Sequence, residues 1–197
     1  MNLYPLFISG EYFRCLVAGG GNIALHKVKG LLKRGILPCI VSPSVSAELE
    51  QLIVENCLDW RQRNFQPADL TGFNLVFAAT SDTNTNAMIC AGSKDLGILY
   101  NDVGKAGNSN FFVPAVVKRG DLELAVSTTG KAPFLGHHLK EHFDRLLPEN
   151  IGSLVEEIVN TRASVIKQAG NNETMKKELL EKEMEPLIQQ FINLLGK

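Results

Sequence analysis

The residues whose types and spacing could do chemistry begin at Cys15-Leu16-Val17-Ala18-Gly19-Gly20-Gly21-Asn22-Ile23-Ala24. An apolar run passes through three glycines into a helical pattern, which is the G-x-G-x-x-A form of a dinucleotide-binding turn. Glycine tolerates the tight turn at Gly19 and lets the backbone approach a pyrophosphate at Gly21. It also leaves the amides of Asn22 and Ile23 open to the phosphate charge. A glycine-rich turn can also do no more than join a strand to a helix. The loop Ser42-Pro43-Ser44 follows the next apolar run and lies where an adenosine ribose is expected; no Asp or Glu ends that run, so Ser42, Ser44 or main-chain groups must hold the hydroxyls. Thr80 ends a third run and is either a cofactor contact or a turn residue. His138 and His142 are four apart, which puts two imidazoles on one helix face, suited to a divalent metal or to an exposed surface. Two histidines do not make a ligand set, and no metal site is assigned. Cys15, Cys39, Cys57 and Cys90 contain no C-x-x-C pair and read as small buried hydrophobes of a reducing compartment.

The elements that must position these residues follow from hydrophobic period and breakers. Residues 14–18 read as a strand, 23–34 as a helix with Ile23, Leu25, Val28, Leu31 and Leu32 on one broad face, and 38–42 as a second strand. That completes a βαβ unit in about 30 residues, the length of a right-handed parallel crossover. A short helix at 46–55, a strand at 59–63, a turn at 67–70, a strand at 75–79, a helix at 84–96 and a strand at 98–101 continue the alternation. Residues 111–117 and 122–127 then read as an antiparallel pair joined by Lys118-Arg119-Gly120-Asp121. Beyond Pro133 everything reads as helix: 135–147, 151–168 and 172–195, broken at Gly170-Asn171. The last helix carries a continuous apolar stripe of Met175, Leu179, Leu180, Met184, Leu187, Ile188, Phe191, Ile192 and Leu195, which is either ordinary core or, since a small helical tail has little core of its own, a surface for a partner subunit. The expected class is α/β: a Rossmann-type parallel sheet over 1–113, a small strand-pair dimerisation and substrate region over 114–145, and an all-helical C-terminal domain over 146–197.

With 20 basic and 21 acidic residues the formal net charge is -1, so no whole-chain field favours nucleic acid or an anionic membrane. No apolar run approaches the roughly 20 residues of a membrane helix, and the start Met1-Asn2-Leu3-Tyr4-Pro5-Leu6-Phe7 lacks the features of a secretory signal. The expectation is a cytoplasmic protein.

Four segments, in order, resemble the precorrin-2 dehydrogenase and sirohydrochlorin ferrochelatase family, the module of siroheme synthesis. They are Leu3-Tyr4-Pro5-Leu6-Phe7; Val17 to Lys27 around the glycines; Ala78-Ala79-Thr80-Ser81-Asp82 with Asn86; and Phe112-Val113-Pro114-Ala115, Arg119-Gly120 and Ala125 to Pro133. The resemblance covers residues 3 to about 145. It implies NAD-dependent oxidation of precorrin-2, a reduced tetrapyrrole with eight carboxylates, to sirohydrochlorin, in some members with iron insertion, and a homodimer sharing its central strands and C-terminal helices. The cofactor set is then Gly19, Gly21, Asn22, Ile23, Ser42, Pro43, Ser44, Thr80 and Asn101. Ser127, Thr128, Lys131 and His137 are the substrate set, their hydroxyls, ammonium and imidazole suited to carboxylates.

The departures matter for chemistry. The family credits an aspartate, four residues into a stretch resembling N-V-V-D, with both dehydrogenation and chelation; here Asn101-Asp102-Val103-Gly104 puts glycine at that position. Asp102 stands two residues early, about 6.6 Å away along an extended chain, and is either a substitute catalytic acid-base or a solvated loop carboxylate. Thr129, Lys131 and Ala132 replace common residues of the substrate turn, and His26, His137 and Lys140 stand where arginines are usual. Chelation is therefore doubtful. A non-catalytic nucleotide- or tetrapyrrole-binding partner of another heme-pathway enzyme is the alternative, and a Rossmann enzyme acting on a nucleotide sugar is disfavoured by the turn at 127–133.

Overall fold

The computed structural model describes residues 2–195 and divides between Phe112 and Val113 into two compact units. In the first, β1 (Cys15–Ala18), β2 (Cys39–Val41), β3 (Trp60–Arg61), β4 (Leu75–Ala78) and β5 (Leu99–Asp102) form one parallel sheet in the order β3-β2-β1-β4-β5. Its three central strands β1, β2 and β4 are buried at every position, as their unbroken apolar runs require when helices cover both faces. The chain order reverses between β1 and β4, whose register pairs Ala18 with Ala78. Their carboxyl ends thus open the crevice where ligands of such sheets lie.

Helix α1 (Asn22–Leu32) buries Ala24, Leu25, Val28 and Leu31, while Ile23 is 54% exposed rather than part of the apolar face. One residue into a helix, its side chain falls outside the stripe that meets the sheet. Gly35 takes φ +71°, and Gly35 N and Ile36 N donate to Leu32 O and Leu31 O, closing the helix earlier than position 34. Helices α2 (Ala47–Glu55) and α3 (Thr83–Asp95) start on Ser46 and Asp82 caps. The strand expected at 59–63 shrinks to two residues. Arg63 leaves the edge to bind the buried carboxylate of Asp69, which also accepts from Arg61 Nη1 at 2.9 Å and Gln66 N at 2.8 Å. Residues 67–70 form a short 3-10 helix carrying that aspartate. Cys15, Cys39 and Cys90 are buried and unpaired, and burial pushes the Cys39 and Cys90 thiols up to about 12 and about 11. Cys57 departs from the expectation and is exposed.

The second unit holds the antiparallel pair β6 (Ala115–Arg119) and β7 (Leu122–Val126), joined by Gly120-Asp121 with Gly120 at φ +58°. Residues 111–113 are not strand. Phe111 instead packs edge-on against Phe77, centroids 5.4 Å apart, and Pro114 has no N–H for a ladder, so pairing starts at Ala115. Helices α4 (Pro133–Leu146), α5 (Ile151–Ala169) and α6 (Glu173–Leu195) follow. Val117, Leu147 and Ile151 form the core, with Leu122, Leu124, Phe143 and Phe191 against it. The α6 stripe is split: Leu179, Leu180, Met184, Leu187 and Phe191 are half-buried, whereas Met175, Ile188, Ile192 and Leu195 face outward. Among the described residues no helix is long and apolar enough to cross a membrane.

A candidate dinucleotide site at the carboxyl edge of the sheet

The three glycines do different work. Gly19 has φ +129°, and a Cβ there would lie 2.2 Å from Ala79 O, so the end of β1 is pressed against the end of β4. At Gly20 a Cβ would lie 1.9 Å from Ser44 O, because loop 42–46 crosses over the turn and Ser46 N donates to Gly20 O at 2.8 Å. The motif treats this middle position as variable, so its requirement for glycine was not legible. Gly21 has an ordinary φ of -86° and nothing within 4 Å of a Cβ, so the space beside the helix start is open. No side chain caps α1 and no acid lies in its first turn. Uncapped amides with positive partial charge beside open space are what a pyrophosphate requires, and the residues present fit one. Asn22 and Ile23 contribute main-chain amides there.

Ser42 is buried, its hydroxyl donating to Ser44 O at 2.6 Å while its own carbonyl accepts from Trp60 Nε1 at 3.0 Å. Its side chain therefore shapes the loop, and Pro43 and Ser44 are the exposed members. Thr80, at the end of β4, is fixed by Asn86: Thr80 N donates to Asn86 Oδ1 at 3.1 Å, the Thr80 hydroxyl lies 2.7 Å from the same oxygen, and Asn86 Nδ2 donates to Thr80 O at 3.0 Å. Asn86 is buried in α3 and carried no assigned role in the sequence, yet it sets the rotamer of Thr80. Asp82 accepts from Asn84 N and Thr85 N, both at 3.1 Å, and from the Thr85 hydroxyl. The Thr85 hydroxyl, then these amides, hold its carboxyl below the usual range.

At the end of β5 Asn101 and Asp102 are both buried. Asn101 Nδ2 donates to Phe111 O at 3.0 Å, tying down the returning chain. The Asp102 carboxylate is not solvated. Its Oδ1 accepts from Gly104 N at 3.0 Å and Lys105 N at 3.1 Å, and its Oδ2 from Asn108 Nδ2 at 3.0 Å. Ser109 Oγ accepts from Asp102 N at 3.0 Å. A Cβ at Gly104 would lie 3.5 Å from Asp102 Oδ1, an ordinary contact, so the backbone there accommodates a side chain.

In the second unit Ser127 and Lys131 are exposed and Thr128 is half-buried. Thr129 N donates to Ser127 Oγ at 3.2 Å, Ala132 N to Thr128 Oγ1 at 3.3 Å and Lys131 N to Thr128 O at 3.0 Å. Thr129 and Gly130 both take left-handed backbone, φ +54° and +72°. That backbone is unfavourable for a β-branched residue such as Thr129. On α4, His137 Nε2 lies 3.2 Å and His138 Nδ1 3.6 Å from the Glu141 carboxylate, and His138 meets the Phe134 ring edge-on. Among the described residues no three His, Cys, Asp or Glu side chains are placed to hold a metal.

The strand order, the switch point and the glycine turn define a Rossmann-type dinucleotide-binding protein. A family model described as "Putative NAD(P)-binding" matches residues 6–115. Siroheme synthase 1 of Aeromonas salmonicida is 35% identical over 165 residues, 84% of this chain and 35% of that protein. Siroheme synthase 2 of Aeromonas hydrophila is 36% identical over 156 residues, 79% of this chain and 33% of that protein. The chain spans about a third of the length of these curated relatives. Among solved structures, SirC, a precorrin-2 dehydrogenase, aligns with a TM-score of 0.73 and 25% identity over 97% of this chain and 100% of that one. The chain belongs to the family of putative NAD(P)-binding proteins that the matching family model describes, and over most of its length it is similar to siroheme synthases and to a precorrin-2 dehydrogenase.

Proposed function

We propose that this chain oxidises precorrin-2 to sirohydrochlorin with NAD+ and does not insert iron. The observation that carries the reading is the uncapped, unobstructed start of α1 behind Gly21, in a chain similar over most of its length to a precorrin-2 dehydrogenase. NAD+, when bound, supplies the hydride acceptor; the substrate loses one hydrogen as hydride and one as a proton. The amides of Asn22 and Ile23 hold the pyrophosphate, and loop 42–44 borders the ribose. Thr80, held by Asn86, and the end of β5 border the reactive end. Ser127, Thr128, Lys131 and His137 take substrate carboxylates. With Gly104 in place of the acid, the proton leaves to water, and the main requirement is alignment of the substrate carbon. Asp102 is a positioning residue, since its carboxylate is committed to three donors of its own loop.

The protein works as a homodimer in this reading, with the outward row Ile188, Ile192 and Leu195 of α6 covered by a second copy. The glycine at 104 also favours a second reading, a tetrapyrrole-binding partner protein without turnover. Anaerobic incubation of the purified protein with precorrin-2 and NAD+ separates the two. The dehydrogenase reading requires sirohydrochlorin absorbance to grow in step with NADH, and binding of precorrin-2 with no product overturns it. Adding ferrous iron to the parent and to Gly104→Asp tests the chelation half, which expects siroheme only from the variant.

A further inference from the structure

The loop after β5 carries a charge that the functional reading above does not use. Val103 N donates to Ala78 O at 3.1 Å, so residues 103–109 leave the sheet beside the end of β4 and the Thr80 turn. The loop is tied at several points: Gly104 N, Lys105 N and Asn108 Nδ2 to the Asp102 carboxylate, Asp102 N to Ser109 Oγ, and Asn108 N to Lys105 O at 2.9 Å. The main chain at Lys105 is thereby fixed, while its side chain is exposed and enters no ion pair among the described residues. The nearest acid in sequence, Asp102, is buried and turned into the loop. In a sheet of this topology a dinucleotide lies along the carboxyl edge with its adenosine end over β2, so the β4–β5 end is where the second reactant meets it. The loop that carries Lys105 follows β5, which lies across β4 from β1 and the turn into α1.

We propose that Lys105, presented by the loop that Asp102 ties down, is a carboxylate-binding residue for the polyanionic substrate at the β4–β5 end of the crevice. The proposal rests on the tetrapyrrole reading above. A lysine suits the task because a compact charge on a flexible stem can follow a mobile carboxylate, and a glycine before it leaves the approach unobstructed.

The test is binding of uroporphyrin III, an air-stable tetrapyrrole with eight carboxylates, to the full chain, followed by fluorescence at low and high salt, with NADH affinity measured on the same samples. Lys105→Ala weakens porphyrin binding about two- to five-fold and Lys105→Glu about ten-fold. Both flatten the salt dependence, Lys105→Arg restores affinity, and NADH binding is unchanged throughout. In turnover of precorrin-2 the same variants raise KM and leave kcat within about two-fold. Parent protein that binds the porphyrin while Lys105→Glu binds it equally well overturns the assignment and leaves the functional reading standing. Parent protein that binds NADH but no porphyrin overturns both.

Discussion

Asp102 offers the sharpest separation between a chemical and an architectural role. Replacing it by alanine removes the acceptor for Gly104 N, Lys105 N and Asn108 Nδ2. Each bond to a charged acceptor is worth about 1.5–3 kcal/mol when its donor stays buried. Gly104, Lys105 and Asn108 are exposed, so water replaces part of each bond, and the expected loss is about 2–4 kcal/mol in all. Asp102→Asn is different. Its amide oxygen still accepts from Gly104 N and Lys105 N, and its NH2 group meets Asn108, whose amide can turn to present oxygen instead of nitrogen. The expected cost is about 1 kcal/mol. If the carboxylate only positions the loop, the asparagine variant keeps kcat for precorrin-2 oxidation within a few-fold, while the alanine variant loses both thermal stability and rate. If the carboxylate transfers a proton, the asparagine variant falls by about 100-fold or more with its unfolding temperature nearly intact. Anaerobic NADH formation, measured beside thermal unfolding for both variants, decides the matter, and a stable but inactive Asp102→Asn protein would refute the positioning argument.

The glycine turn yields a paired expectation: Gly21→Ala leaves stability within about 0.5 kcal/mol but weakens NADH binding, because its methyl enters open space at the phosphate site, whereas Gly20→Ala costs about 3 kcal/mol by driving into Ser44 O. Chemical denaturation and an NADH titration of each check the contrast. Thr129→Gly relieves left-handed backbone at φ +54° and is expected to raise stability by about 1 kcal/mol, read from the same denaturation curves. Asp69 gives an acid limb: hydrogen bonds from Arg63, then the Gln66 amide and Arg61, hold its carboxyl down at about 2 against an ordinary 3.8. A depressed folded value means the stabilisation is complete above pH 3.8 and fades as pH falls toward 2. It amounts to about 1–2 kcal/mol once the half-exposed guanidiniums are allowed for. Asp69→Asn should flatten the stability profile in that window, and an unchanged acid limb would show the cluster to be inert.

Much of the first unit was legible because its signals are local. The apolar runs at 14–18, 38–42 and 75–79 and the helical periods between them act within a few residues of themselves, so element types and the parallel alternation follow from spacing. The positive φ of Gly19 and the open helix start behind Gly21 belong to the same class, whereas the press of Gly19 against Ala79 O does not. Contacts between distant segments were not legible. Gly20 must be glycine because loop 42–46 crosses it, Thr80 is fixed by a helix residue six positions on, and residues 111–113 leave the strand pair because Phe111 finds Phe77. The same holds for Asp102, which spacing left as either a catalytic substitute or a solvated carboxylate, whereas the structure buries it under donors from its own loop. Sequence by itself determined the elements, the nucleotide turn and the family, because these are written in short-range pattern. Only the tertiary structure decided which polar side chains face the crevice and which hold it in shape, because a carboxylate or hydroxyl is free to act only when neighbouring donors and acceptors leave it unpaired.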